Sequence, residues 1–70
     1  MQTKVIIQGM ACNHCAKAVR AALEGLKGVS AVEVDLDAGI AYVESRGEVT
    51  GIKEAIEEIG FDVTDMEIVG

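Results

Sequence analysis

Positive charge is scarce in this sequence. Six Lys and Arg side chains stand against twelve Asp and Glu side chains, so the formal net charge is -6. Affinity for nucleic acid comes from neutralising phosphates with Lys and Arg, and we therefore predict no nucleic-acid partner. The acids concentrate in residues 48–70, where seven of them accompany one base, Lys53. We interpret this skew as a solvated surface that aids solubility.

Long apolar runs and an export signal are also missing. No run approaches the roughly 18 apolar residues of a membrane span, and the chain opens with MQTK rather than with a basic segment that leads into an apolar one. We expect a cytoplasmic protein without membrane insertion. Half of the 70 residues are apolar, which predicts a single domain over residues 1–70 with one small core.

Cysteine, histidine and proline are rare, and their numbers exclude several kinds of site. Two cysteines are too few for a four-cysteine iron–sulfur cluster, and with one histidine they are too few for a closed zinc site of four ligands. The absence of proline removes the cis-proline that commonly faces the dithiol of a thioredoxin-type enzyme. A dithiol oxidoreductase is therefore the weaker interpretation of the C-x-x-C pair.

The first half of the chain predicts a strand, a helix and a hairpin. Residues 3–8 are typical of a buried strand, and a helical apolar sector predicts a first helix over about residues 15–26, with Gly28 just past its end. Alternation in residues 29–37 predicts a strand with one buried face. After a short turn, residues 40–45 return as its partner.

The second half predicts one more helix and one more strand. Apolar residues spaced three and four apart follow Thr50, which is the expected N-cap, and Gly60 is the expected terminator. Residues 61–69 predict a last strand whose apolar phase slips, which indicates a bulge near Asp65. The order βαββαβ predicts an α+β fold, a four-stranded antiparallel sheet with two helices on one face.

The soft side chains gather in one short stretch, GMACNHC, at residues 9–15. The helical pattern puts Cys15 in the first turn of the first helix and Cys12 in the preceding loop. Free amides and the positive end of the helix dipole meet there, so we expect the pKa of both thiols to be lowered. Because Cys15 borders the buried sector, Cys12 is expected to be the more exposed sulfur.

Two thiolates suit a soft ion that accepts low coordination. That description fits Cu(I), with Ag(I) and Hg(II) as chemical relatives, and we predict a metal site at Cys12 and Cys15. Two thiolates and one Cu(I) sum to a charge of -1, which a helix N-terminus stabilises. Low coordination leaves room for an incoming thiolate, so the metal could pass to another protein through the exposed Cys12.

Three segments carry a resemblance to a known family. GMACNHC, GVSAVEVDLDAG and IEEIGFDV resemble the heavy-metal-associated domain family, which includes small copper chaperones and the amino-terminal domains of copper-transporting P-type ATPases. The resemblance spans nearly the whole chain, and its motif M-x-C-x-x-C falls on Met10, Cys12 and Cys15. It implies a ferredoxin-like sandwich and linear Cu(I) coordination by the two cysteines. It also implies transfer to a partner of the same fold, with a metal-bridged homodimer as the alternative to a monomer.

The residue between the motif methionine and the first cysteine departs from the family pattern. The family often has Thr or Ser where Ala11 stands, and members tuned to Zn(II), Cd(II) or Pb(II) tend to have an acid there. Ala11 offers no oxygen ligand, which favours monovalent copper and leaves Hg(II) open, as in the similar mercury-binding proteins. A domain cut from a copper ATPase also stays open, because Phe61 matches the ATPase domains.

The neighbours of the cysteines allow two interpretations each. Met10 is expected to pack in the core rather than bind metal. His14 is either a solvent-facing loop residue or a group that tunes the thiols, and Phe61 either begins a strand or shields the metal. Lys17 and Arg20 form a solvated helix face or a docking surface for an acidic partner. We conclude from the sequence that the chain is a Cu(I) metallochaperone and not an enzyme.

Overall fold

The structure is a computed structural model that describes residues 1–10 and 12–69. Six elements follow one another in the predicted order. They are β1 (Gln2–Gln8), α1 (Asn13–Glu24), β2 (Val29–Asp35), β3 (Ile40–Ser45), α2 (Ile52–Glu58) and β4 (Asp62–Ile68).

The four strands form one sheet in the order β2-β3-β1-β4, and every neighbouring pair is antiparallel. Side chains alternate between the two faces of a strand, and the face of β1 and β3 that points to the helices carries the buried apolar residues Val5, Ile7, Ala41 and Val43. Both helices pack on that face. This confirms the predicted ferredoxin-like βαββαβ fold. The buried core consists of Val5, Ile7, Met10, Val19, Leu23, Val32, Ala41, Val43, Ile52 and Ile56.

The last strand contains the bulge that its apolar pattern predicts. Ile6 pairs with Asp65 while Ile7 pairs with Val63, so β4 carries one extra residue, Thr64, between those two positions. An extra residue shifts the side-chain phase by one. As a result Val63 and Met66, which stand three apart, both point to the helix side of the sheet.

The first helix begins and ends two residues before the predicted bounds. Cys12 has extended backbone angles (φ -151°, ψ 170°), and its carbonyl accepts a hydrogen bond of 3.1 Å from the Ala16 amide, so the helix starts at Asn13. At the other end Gly25 is the C-cap. The Leu26 amide then donates to the Leu23 carbonyl at 3.1 Å, a tighter turn that ends the helix before Leu26.

The predicted N-cap of the second helix is wrong, whereas its predicted end is confirmed. The N-cap is Gly51 rather than Thr50, and its φ of +87° is a conformation that glycine adopts readily. At the far end the Gly60 amide donates to the Glu57 carbonyl at 3.0 Å and the Phe61 amide to the Ile56 carbonyl at 3.2 Å. This pair of bonds is a Schellman motif with Gly60 at its left-handed position.

In the part of the chain that the structure describes, neither helix is long and apolar enough to cross a membrane.

Candidate metal centre

The loop from β1 to α1 carries the candidate site, and Met10 anchors this loop to the core. Met10 is only 8% exposed and belongs to the core cluster, so its side chain fixes the loop to the sheet and helices beneath it. This confirms that Met10 packs in the core, as the sequence predicts. The thioether therefore stabilises the loop by packing.

The structure brings the two predicted ligands together at the start of α1. Cys12 is the N-cap residue and Cys15 is the third residue of the helix, and their Sγ atoms lie 3.2 Å apart. Both are free cysteines. Cys12 is exposed, whereas Cys15 is half-buried and packs against the core cluster, so the predicted asymmetry of the two sulfurs is confirmed.

The electrostatics of the helix end act on Cys12. The Cys15 amide lowers the pKa of the Cys12 thiol most, the Cys15 side chain and the His14 amide lower it further, and desolvation opposes them. The Cys12 sulfur makes no capping hydrogen bond to any described residue. Amide dipoles at a helix N-terminus still stabilise a nearby negative charge without full bonding geometry. The predicted lowering of the pKa is therefore confirmed for Cys12.

The donor set stops at the two sulfurs. Across residues 1–10 and 12–69, no group of three or more His, Cys, Asp or Glu side chains is placed to hold a metal ion. His14 is exposed, as expected, but it lies in the first turn of α1 rather than in the loop, because the helix begins at Asn13. The expectation about Ala11 falls on a residue outside the described part of the chain. Two soft sulfurs without a third donor suit a low-coordinate soft cation better than Zn²⁺, which takes four ligands in structural sites.

Charged residues next to the site lie on the exposed face of α1. Lys17 and Arg20 are both exposed, as predicted. Arg20 Nε donates to Glu24 Oε2 at 3.4 Å, one helical turn further on. This pair offsets the charge of Arg20 and leaves Lys17 as the less compensated base of the two.

One contact beside the site was not assigned by the sequence. Phe61 immediately precedes β4, is half-buried and packs against the core cluster. Its ring also lies against Gly9 at the end of β1. The signal in the sequence was a glycine directly after a strand, a position that often marks close backbone approach.

Comparisons with known proteins find similar sequences and folds. The family model described as "Heavy-metal-associated domain" matches residues 4–62. The copper chaperone CopZ of Staphylococcus haemolyticus is 49% identical over 67 residues, which cover 90% of this chain and 98% of the relative. Among solved structures, a CopZ metallochaperone is 36% identical with a TM-score of 0.84, and covers 91% of this chain and 100% of its own. A copper-binding domain from HMA7, a P-type ATPase, is 34% identical with a TM-score of 0.80, over 100% of this chain and 96% of its own.

Proposed function

This chain belongs to the heavy-metal-associated domain family, and from that premise we propose that it is a copper chaperone. In this proposal it carries Cu(I) between Cys12 and Cys15 and delivers the ion to a metal-binding domain of a copper-transporting P-type ATPase. The relatives named copper chaperone CopZ support the choice of metal. The likeness to a P-type ATPase domain supports the choice of partner.

The observation that carries the proposal is the pair of sulfurs, 3.2 Å apart, at the N-terminus of α1. Thiolates are the ligands that Cu(I) prefers, and the first turn of the helix contains no acid that would offer a hard oxygen. Two thiolates and one Cu(I) carry a net charge of -1, and the free amides of the helix stabilise it. The two soft thiolates and the electrostatic stabilisation at the helix N-terminus therefore hold Cu(I), without a closed shell of four ligands.

Delivery requires that the ion can leave. Because only two sulfurs bind it, a thiolate of the partner can enter as a third ligand before either bond breaks. Cys12 is the exposed sulfur, so the incoming thiolate approaches on that side and replaces Cys12 first. The same number of Cu–S bonds is made and broken, and no oxidation or reduction occurs. The chain thus moves metal without catalytic turnover.

An anaerobic Cu(I) titration of the reduced protein against a competing chelator tests the proposal. We expect one tightly bound equivalent per chain, and we expect the double substitution Cys12→Ser and Cys15→Ser to abolish tight binding. The control is His14→Ala, which removes the nearby imidazole and keeps both sulfurs. If the double variant held Cu(I) as tightly as the natural protein, the assignment of these ligands would be wrong.

Parallel titrations separate the remaining alternatives. Hg(II) binds two thiolates linearly as well, so preferential retention of Hg(II) under competition with cellular thiols would indicate a mercury-binding protein instead. An insulin-reduction assay detects a dithiol oxidoreductase, and we expect no activity above a buffer blank. A metal-binding domain of an ATPase would use the same two sulfurs, and the reading frame beyond Gly70 in the gene distinguishes it from a separate chaperone.

A further inference from the structure

The chain leaves β1 through a residue that has no side chain. Gly9 has a φ of +93°, a region that residues with a side chain rarely adopt. The next residue, Met10, enters the core, and Cys12 follows two positions later as the N-cap of α1. The backbone angle at Gly9 therefore directs the path of the loop that ends at the exposed sulfur.

The ring of Phe61 occupies the space beside Gly9. A Cβ atom built on Gly9 would lie 3.3 Å from Phe61 Cδ1 and 4.0 Å from Cε1, and the first distance is shorter than ordinary van der Waals contact. Phe61 cannot yield freely, because the Schellman motif that ends α2 fixes its backbone and its ring packs on the core. The α2–β4 connection therefore lies directly against the start of the metal loop.

We propose that Gly9 is a positioning residue for the metal site. Its bare Cα lets the Phe61 ring close against the chain, and this contact holds the loop so that Cys12 stands over the first turn of α1 and close to Cys15. The inference rests on the proposed Cu(I) site. Supporting residues that orient metal ligands typically change metal affinity by about 10- to 100-fold when they are lost.

A matched pair of glycine substitutions tests the proposal. Gly28 has nearly the same φ, +92°, but apart from its own chain neighbours no atom of the described residues lies within 4 Å of a Cβ built there. Gly28 follows the C-terminal end of α1, and the 12 residues of that helix separate it from the site by about 18 Å at 1.5 Å per residue. Both Gly9→Ala and Gly28→Ala place a side chain at a positive φ of about the same value, and only Gly9→Ala also meets the Phe61 ring.

The two variants are expected to differ in metal binding rather than in folding alone. We expect both to lower the melting temperature, and only Gly9→Ala to weaken Cu(I) binding, by about tenfold or more in chelator competition. Gly9→Ala should also change the ratio of Cys12 to Cys15 alkylation in the metal-free protein, read by fragment mass spectrometry. Equal Cu(I) affinities and equal alkylation ratios in the two variants would overturn the proposal.

A second variant keeps the proposal testable if Gly9→Ala does not fold. Phe61→Ala removes the ring and leaves the backbone of Gly9 intact, and we expect it to change the same two readouts. Leu26→Ala is its control, because Leu26 is also a half-buried apolar residue that packs against the core cluster but follows the far end of α1. If Phe61→Ala and Leu26→Ala gave the same alkylation ratio and the same Cu(I) affinity, the contact would have no positioning role.

The metal-free readout separates this inference from the proposed function. Failure of the natural protein to bind Cu(I) would refute the proposed function, and the alkylation ratios of the four variants would still decide whether Gly9 positions Cys12. Normal Cu(I) binding by the natural protein together with indistinguishable Gly9→Ala and Gly28→Ala variants would refute the inference alone.

Discussion

Loading with one equivalent of Cu(I) is expected to push the two site sulfurs apart. In this structure Cys12 Sγ and Cys15 Sγ lie 3.2 Å apart. With metal–sulfur bonds of about 2.3 Å, the length in zinc thiolates, this separation corresponds to an angle of about 90° at the metal, and a linear arrangement needs about 4.6 Å. Binding in the linear form therefore requires the sulfurs to separate by about 1.4 Å.

The exposed sulfur is the one expected to move. Cys15 is held by α1 and packs against the core cluster, whereas Cys12 is exposed at the N-cap. A change of side-chain rotamer at an exposed residue needs no rearrangement of the core. Most of the opening should therefore appear as a displacement of Cys12, with the backbone of α1 unchanged.

Metal absorption spectroscopy and a solution structure of the loaded protein measure this opening. The spectrum should report two sulfur neighbours and no oxygen shell when sedimentation shows a monomer, and the structure should place the sulfurs more than 4 Å apart. The metal-free protein under the same reducing conditions is the control. A loaded monomer that kept the sulfurs near 3.2 Å, or that moved Cys15 together with its core neighbours, would refute the reasoning.

Three further outcomes follow from the same contacts. Alkylation of Cys12 should reach half of its maximal rate at a lower pH in the folded protein than in urea, because folding lowers the pKa of Cys12. The stability that the folded state gains from the Cys12 thiolate is present above the pKa of the unfolded thiol and is lost as the pH falls through the pKa of the folded one. Identical profiles in both states would contradict it. Met10→Leu should cost less than about 1.5 kcal/mol of stability and leave Cu(I) affinity unchanged in chelator competition, since Met10 packs in the core. A large loss of Cu(I) affinity would indicate that the thioether is a ligand. Leu23→Ala should lower the free energy of unfolding, measured with urea, by about 2–5 kcal/mol, since Leu23 is fully buried. Arg20→Ala at an exposed ion pair should lower it by less than about 1 kcal/mol. Similar losses of stability in the two variants would contradict this prediction.

The order of elements could be predicted because each carries its own hydrophobic period. Alternation places Val32 and Val34 on one face of β2, and spacing by three and four places Val19 and Leu23 on one face of α1. Even the bulge in β4 was predictable, because the apolar residues Val63 and Met66 cannot share a face of a regular strand. The sheet then follows from pairing these faces around one core.

The ends of the helices were less predictable, because they depend on backbone angles that several residue types can satisfy. Thr and Gly are about equally favoured as N-caps, and the backbone decides between Thr50 and Gly51, because the chain enters α2 with a positive φ that glycine adopts without strain. Cys12 is not a residue that pattern rules favour as an N-cap, and the helix starts after it nonetheless. Ile59 fits the apolar period of α2 but lies past its end and is 38% exposed.

For the site, the sequence pattern predicts where the two cysteines lie, but not the distances between the groups around them. The motif and the helical period place Cys12 in the loop and Cys15 at the edge of the core, and their exposures agree. The contact between Gly9 and Phe61 joins residues that are distant in the chain. The separation of the two sulfurs depends on the rotamers of Cys12 and Cys15. A glycine after a strand marks Gly9 as a place of close approach, but no pattern in a single sequence names Phe61 as its neighbour or gives the distance between the sulfurs.

In the proposed transfer, the unequal surroundings of the two sulfurs decide which metal–sulfur bond breaks first. If both sulfurs were buried, an incoming thiolate could not reach the metal without unfolding the loop. If both were exposed, either metal–sulfur bond could break first. Here Cys15 is held by the helix and core while Cys12 is exposed to solvent. An exchange that begins at Cys12 keeps the metal bound to Cys15 until the partner's sulfurs have formed their own bonds. In the proposed transfer the fold would therefore contribute an order of bond breaking, in addition to the affinity that the thiolates themselves provide.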